Sequence, residues 1–324
     1  RRYSSAASDV YKRQHLMIIQ DFTANEVTNK IDEISFSWES PSNIALVKYW
    51  GKNHDQTPKN SSISFTLSNC TTKTSILFKR IDKTSENIGF DLIFDGKKNT
   101  SFRPKIVKFF SMIQEYCPYL KDYHLLISSS NSFPHSSGIA SSASSMSALS
   151  LCIMSLEKKL TLIDDDYLFK KASFISRIGS GSACRSVYGG VNFWGKHKEL
   201  NNSSDLYSVK LSKNISPKFN NYRDVILIID DKEKEVSSSV GHGLMNDNPF
   251  SKVRFNAANN NITKLLEILA SGNLNDFCEL VEGEALMLHS LMMNSNPSYI
   301  LMKPETLEVI AVSYTHLTLP TSND

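Results

Sequence analysis

Apolar positions follow a helical period in Phe102–Tyr116 (Ile106, Val107, Phe109, Phe110, Ile113) and in Ala143–Lys159 (Met146, Leu149, Ile153, Leu156). Asp164–Ile178, Val253–Ser271 and Asn273–Met293 are further helix candidates. The last is expected to bury Phe277, Leu280, Val281, Ala285, Leu288 and Leu291. Alternation or short apolar runs predict strands at Ile34–Tyr49, Ser62–Thr66, Thr74–Phe78, Tyr123–Ser129 and Ser186–Trp194, and a buried strand at Asp224–Ile229. Phe90–Lys98 reads as a hairpin turning at Asp95-Gly96. Lys198–Asn221 is polar and irregular, which puts a boundary near residue 200. No internal repeat is visible. The sum is an α+β chain in two parts.

Composition narrows this only slightly. The chain has 324 residues, 40% hydrophobic and 21% charged, enough to build a core without staples. A net charge of +3 is too small to point to nucleic acid or to a membrane surface. Cys70, Cys117, Cys152, Cys184 and Cys278 are scattered without metal-ligand spacing, which suits reduced thiols in the cytoplasm. No apolar run reaches the ~18 residues of a membrane span. Both ends look foreign. Residues 1–16 precede a plausible start at Met17, and residues 312–324 follow an abruptly ended segment. The expected division is therefore a tail (1–16), a first domain (17–200), a truncated second domain (201–311) and a second tail (312–324).

Four segments carry candidate chemistry. In Pro134–Ser144, small residues and hydroxyls crowd a turn between a predicted strand and a predicted helix. A helix N-terminus offers free N–H donors and about half a unit of positive charge to a phosphate. A plain serine cap would account for one or two hydroxyls, but not for Ser141, Ser142 and Ser144 together with Gly138 and Ala140. No Gly-Lys-Ser/Thr closes the turn, so it is not a Walker A loop, and its anion must be neutralised from elsewhere. Pro41–Lys52 places Lys48 and Lys52 around Tyr49-Trp50, and lysines suit phosphate as compact point charges. Gly179–Gly190 offers Ser180, Ser182 and the planar fork of Arg185, which matches a carboxylate or a phosphate. Glu235–His242 is again hydroxyl-rich before a glycine, with Ser237 and Ser238. His242 and His289 read as ordinary polar residues.

Together these segments resemble the diphosphomevalonate decarboxylases of the GHMP kinase superfamily, in order from about Ile34 to Ile310. The phosphate turn points only to the superfamily. Asn43–Lys52, read as N-I-A-x-x-K-Y-W-G-K, and G-S-G-S-A-C-R-S at 179–186 are far more specific, and Glu284–Pro297 is similar too. The resemblance implies a ribosomal-S5-like first domain with a left-handed crossover, a ferredoxin-like second domain, and a site between them. It implies ATP-dependent decarboxylation of mevalonate 5-diphosphate to isopentenyl diphosphate through phosphorylation of the 3-hydroxyl, with Mg²⁺, in a cytoplasmic homodimer.

By match, Tyr49 and Lys52 would hold the diphosphate, with Ser180 and Ser182 assisting and Ser237 and Ser238 nearby. Arg185 would grip the carboxylate, and Asn43 and Lys48 would lie near the reacting hydroxyl. Gly138, Ala140, Ser141, Ser142 and Ser144 would cradle the nucleotide phosphates, Ser144 also reaching Mg²⁺. The family's catalytic aspartate, in D-A-G-P-N, has no counterpart in the sequence. The chain as written is therefore expected to be inactive and poorly stable. Two other readings are a small-molecule kinase acting on a mevalonate derivative without decarboxylation, and a non-catalytic nucleotide binder. The carboxylate clamp argues against the kinase, since phosphorylation does not need one.

Overall fold

The computed structural model describes residues 17–318 apart from 99, 135–138, 212–213 and 231–237. A mixed sheet organises the first half. Its strands are β1 (Glu33–Val47), β2 (Ser62–Arg80), β3 (Gly89–Phe94), β4 (Lys97–Lys98), β5 (Tyr123–Asn131), β6 (Val191–Trp194) and β7 (Ser208–Lys210). The order is β4-β3-β5-β2-β6-β7, with β1 against β2. β1 runs antiparallel along nearly all of β2. One end of β2 pairs with β5 and the other with β6, both antiparallel. β3 runs parallel to β5, and α1 (Arg103–Ile113) lies between them in the chain.

Several local expectations hold. The β3–β4 hairpin turns through Asp95 (φ 47°) and Gly96 (φ 76°), the two positive angles that a type I′ turn requires. The two strands expected at 62–66 and 74–78 are one. Their polar middle lacks an apolar signal, yet β1 pairs alongside it, and a register shift between Pro41 and Ser42 absorbs the proline.

Two long helices, α2 (Ser141–Thr161) and α3 (Asp165–Gly179), pack together, and α2 covers β1 and β2. Met146, Leu149, Ile153 and Leu156 share one buried cluster with Ile76, Phe78, Leu125 and Ile127. Asp164 caps α3 by accepting from the Tyr167 amide at 2.8 Å. The buried Lys171–Glu157 pair, at 2.7 Å, ties the two helices together.

β7 extends the sheet past residue 200, and among the described residues no strand follows Lys210. The second half is built from α4 (Ser238–Gly243), α5 (Ser251–Ser271), α6 (Leu274–Met293) and α7 (Pro304–Thr318). α7 carries helix into the segment set aside as a foreign tail; residues 1–16 and 319–324 lie outside the described residues. Ala258, Ile262 and Leu265 of α5 share a second core with Leu46, Val47, Ile63 and Phe193 of the sheet.

Two expectations fail here. Asp224–Ile229 is neither strand nor buried: Val225 is 81% and Leu227 61% exposed. Among the described residues no strand lies beside it, and an apolar run needs a sheet to bury itself in. α6 buries Phe277 and Leu291 and half-buries Leu280, Val281 and Leu288, but Ala285 is exposed. The buried position is Glu284 itself, which turns inward to pair with Arg254.

Candidate functional site

The end of β1 is where the separate motifs meet. Ser42 Oγ donates to the Ile139 carbonyl and so fastens the strand to the phosphate turn. The next residue, Asn43, donates from Nδ2 to the Ser182 carbonyl at 3.1 Å and to Ser186 Oγ at 2.7 Å. Arg185 closes the circuit: Nη2 donates to Asn43 Oδ1 at 3.4 Å, and Nε to Ser64 Oγ at 3.0 Å. Its side chain is fully buried, and Nη1 has no hydrogen-bond partner among the described residues. Burial lowers the Arg185 pKa, yet a guanidinium stays charged. The structure thus holds a buried cation with one N–H edge uncommitted.

Tyr49 lies beneath it. The Arg185 guanidinium stands 5.5 Å over both the Tyr49 and the Trp194 rings, and those rings meet edge to face at 4.6 Å. Burial pushes the Tyr49 hydroxyl up to about 12, so it remains a proton donor at neutral pH. Gly181 sits against that hydroxyl, and a Cβ there would lie 2.5 Å from Tyr49 Oη. This close approach explains the glycine between Ser180 and Ser182. Lys52 donates from Nζ to Gln56 Oε1 at 2.7 Å. The backbone carbonyl of Lys48 is held by Arg254 Nη2 at 2.8 Å and by Asn60 Nδ2 at 3.2 Å.

The phosphate turn adjoins this group. Gly138 lies outside the described residues. Ala140 adopts the left-handed conformation (φ 54°) immediately before α2 begins at Ser141. Ser142 Oγ stands 3.3 Å from Ser180 Oγ, so the first and third hydroxyl-rich loops converge. Ser144 points elsewhere: it is fully buried, and its hydroxyl bonds Thr72 Oγ1 at 2.6 Å and the Ser141 carbonyl at 3.2 Å. It pins α2 to β2. Ser237 lies outside the described residues, and Ser238 opens α4.

A cleft opens beside Ser142 and Ser145, walled by Thr74, Leu92, Phe94, Phe102, Ile106, Ile127, Ser129, Met146 and Leu149. Lys105 of α1 completes its wall. Sequence reading missed this lysine, because α1 carries no signal beyond its apolar period. Packing desolvates Lys105, and this together with the Lys52 charge lowers its pKa. Lys52 is lowered in turn by burial and by Lys108. Lysines from two distant segments thus lie close enough to feel one another's charge, and Lys105 lines the cleft beside Ser142 and Ser145. Among the described residues no cluster of His, Cys, Asp and Glu is arranged to hold a metal ion.

Residues 40–206 match the model of the diphosphomevalonate decarboxylase-like N-terminal domain. The chain belongs to the diphosphomevalonate decarboxylase-like family. It is 28% identical over 288 residues to the diphosphomevalonate decarboxylase of Ganoderma lucidum, covering 84% of this chain and 69% of that protein. The Saccharomyces cerevisiae diphosphomevalonate decarboxylase is 33% identical over 215 residues, 62% of this chain and 51% of that one. The fold agrees with this family. Mevalonate diphosphate decarboxylase from Staphylococcus aureus superposes with a TM-score of 0.73 at 26% identity, covering 89% of this chain and 83% of that chain. A structure described as MDDEF in complex with MVAPP, AMPPCP and magnesium has the same fold, with a TM-score of 0.71 at 24% identity and coverage of 88% and 83%. Family membership places the Arg185 loop, the β1 end and the phosphate turn in the N-terminal domain, where the geometry joins them.

Proposed function

We propose that this chain carries the mevalonate 5-diphosphate and ATP sites, side by side, of an ATP-dependent decarboxylase that forms isopentenyl diphosphate; with no D-A-G-P-N aspartate in the sequence, turnover by the chain as given is expected to be low. The observation that carries the reading is Arg185, a fully buried guanidinium whose Nη1 has no partner among the described residues. A cation so placed is unfavourable until an anion reaches it, and its planar fork suits a carboxylate. The decarboxylases among its relatives support the same reaction.

The substrate's diphosphate would lie on the Tyr49–Lys52 segment, with Ser180 and Ser182 as further donors. The nucleotide phosphates would lie at the N-terminus of α2, near Ser141 and Ser142, with Lys105 as their counter-charge. The apolar cleft beyond would take the base, with the Phe94 and Phe102 rings in its wall. Magnesium carried in with ATP would supply charge neutralisation, and the Ser141 and Ser142 hydroxyls would help to hold it. The commitment of Ser144 to Thr72 makes it a support for that site. Asn43, bonded to Arg185 and to the Ser182 carbonyl, would hold the carboxylate clamp in register with the 3-hydroxyl.

The chemical logic follows from positioning and charge. A hydroxyl leaves poorly and a phosphate leaves well, so phosphorylation prepares the departure. Loss of phosphate builds positive charge at a tertiary carbon, and the electron pair of the breaking carbon–carboxylate bond fills it. Arg185 orients the carboxylate for that alignment. The Tyr49 and Trp194 rings flank the Arg185 guanidinium and would shield it from water.

No helix among the described residues is long and apolar enough to cross a membrane. The proposal includes a cytoplasmic homodimer, to be checked by fractionation and light scattering. Calorimetric titration with mevalonate 5-diphosphate tests the central claim. One saturable site is expected, and a wild-type chain that binds neither this ligand nor ATP would overturn it. Release of carbon dioxide, against accumulation of a phosphorylated acid, separates the decarboxylase from a kinase.

A further inference from the structure

His242 is the residue that links the second half of the chain to the proposed diphosphate segment. It lies in α4, is buried, and accepts a hydrogen bond at Nδ1 from the Gly51 amide at 3.0 Å. Its ring stacks on Tyr49, with centroids 4.6 Å apart and planes at 25°, and leans on Trp50 at 4.4 Å and 37°. The preceding glycine permits this approach, since a Cβ on Gly241 would fall 2.7 Å from both Trp50 Cζ2 and Tyr299 Oη. Tyr49, Trp50 and Gly51 are therefore each touched by one imidazole.

An Nδ1 that accepts must be unprotonated, so a neutral ring carries its proton on Nε2. Burial, with the charges of Lys48, Lys52 and Arg185, disfavours the protonated ring. A protonated ring would turn its N–H against the Gly51 N–H and break the contact. The neutral state and the geometry support each other.

We propose that His242 is a positioning residue that, as a neutral acceptor, fixes the Gly51 amide and so sets the Tyr49–Lys52 segment for the substrate's diphosphate. The assignment to the diphosphate rests on the function proposed above. A merely structural core residue would affect both ligands alike, whereas a positioning residue affects only the one its segment holds.

Three variants separate these cases. His242→Phe keeps a ring and loses the acceptor. His242→Gln puts its amide where Nε2 stood. His242→Asn puts an oxygen near the position of Nδ1. Losing one hydrogen bond to a buried amide is expected to weaken mevalonate 5-diphosphate binding about tenfold in the Phe and Gln variants, with ATP affinity within about twofold and recovery in Asn. Equal weakening of both ligands, no weakening, or Asn no better than Gln would overturn the proposal.

Hydrogen exchange at the Gly51 amide gives a readout that needs no ligand: fast in Phe and Gln, protected in wild type and Asn. Should the wild type ignore mevalonate 5-diphosphate while exchange follows this pattern, the functional reading falls and the positioning of the segment stands. Unchanged exchange in both Phe and Gln would sink the positioning itself.

Discussion

Arg185 spends its donors unevenly. Nε and Nη2 serve Ser64 and Asn43, while Nη1 is buried without a partner among the described residues. Arg185→Lys keeps the charge but cannot hold both neighbours and still reach a ligand. Mevalonate 5-diphosphate binding is expected to weaken about tenfold or more, with ATP affinity unchanged, measured by calorimetric titration of each ligand. Lys105→Ala should do the reverse, weakening ATP about tenfold through loss of a charge-assisted contact while leaving mevalonate 5-diphosphate binding in place. The buried imidazole gives a pH signature. The His242 pKa falls from 6.5 to about 3 in the fold, because burial and then the charges of Lys48, Lys52 and Arg185 disfavour its protonated form. The unfolded chain therefore takes up a proton that the folded chain refuses. This contribution to stability is complete above pH 6.5 and is lost as pH falls toward 3. Melting temperatures across that window should fall less steeply in His242→Asn than in the wild type.

Elements position these residues through backbone demands that side-chain patterns only partly reveal. The short 3-10 helix Gly181–Ser186 must press against Tyr49, and the glycine at its start makes room. Gly181→Ala would drive a methyl group into the Tyr49 hydroxyl. Substrate binding is expected to suffer while α3, which ends at Gly179, stays folded, as circular dichroism beside calorimetry would show. The cap of α3 is separable from the site: Asp164→Ala should cost about 1 kcal/mol in denaturant unfolding and leave ligand affinity alone. α2, α3, α5 and α6 were legible from their apolar period, because one face of each meets a core. The unity of β2 was not legible, since its middle carries no alternation and depends on β1 for a partner. The apolar run after Asp224 shows the opposite error: high strand propensity with no neighbouring strand among the described residues leaves it exposed.

Across the whole molecule, a buried ion pair within the second half also reaches the first. Arg254 of α5 grips Glu284 of α6 through two bonds of 2.8 and 2.7 Å, and its Nη2 also reaches the Lys48 carbonyl at 2.8 Å. Asn261 adds a third donor to Glu284 at 2.7 Å. The second half thus holds the proposed substrate segment at Lys48 through Arg254 and at Gly51 through His242. Glu284→Gln leaves Arg254 buried without a counter-charge, and a loss of about 3–5 kcal/mol in urea unfolding is expected. Weaker mevalonate 5-diphosphate binding should accompany it, because the same guanidinium anchors Lys48. A near-neutral effect on both would mean that the two halves are not coupled through this pair.

The sequence by itself determined what depends on near neighbours: the helical faces, the Asp95-Gly96 turn, and four segments rich in hydroxyls, glycines or cations. Those are set by local sterics and by short-range hydrogen bonding, so a linear pattern suffices to see them. Only the tertiary structure decided which loop meets which. Asn43 reaches Arg185 across 142 positions, and Gly51 reaches His242 across 191. The structure turned Ser144 away from the cleft and brought Lys105 into it. It also made His242, an unremarkable polar residue in the linear chain, the buried acceptor of the Gly51 amide. Such pairings follow from packing whole elements against one another, and no local period records them.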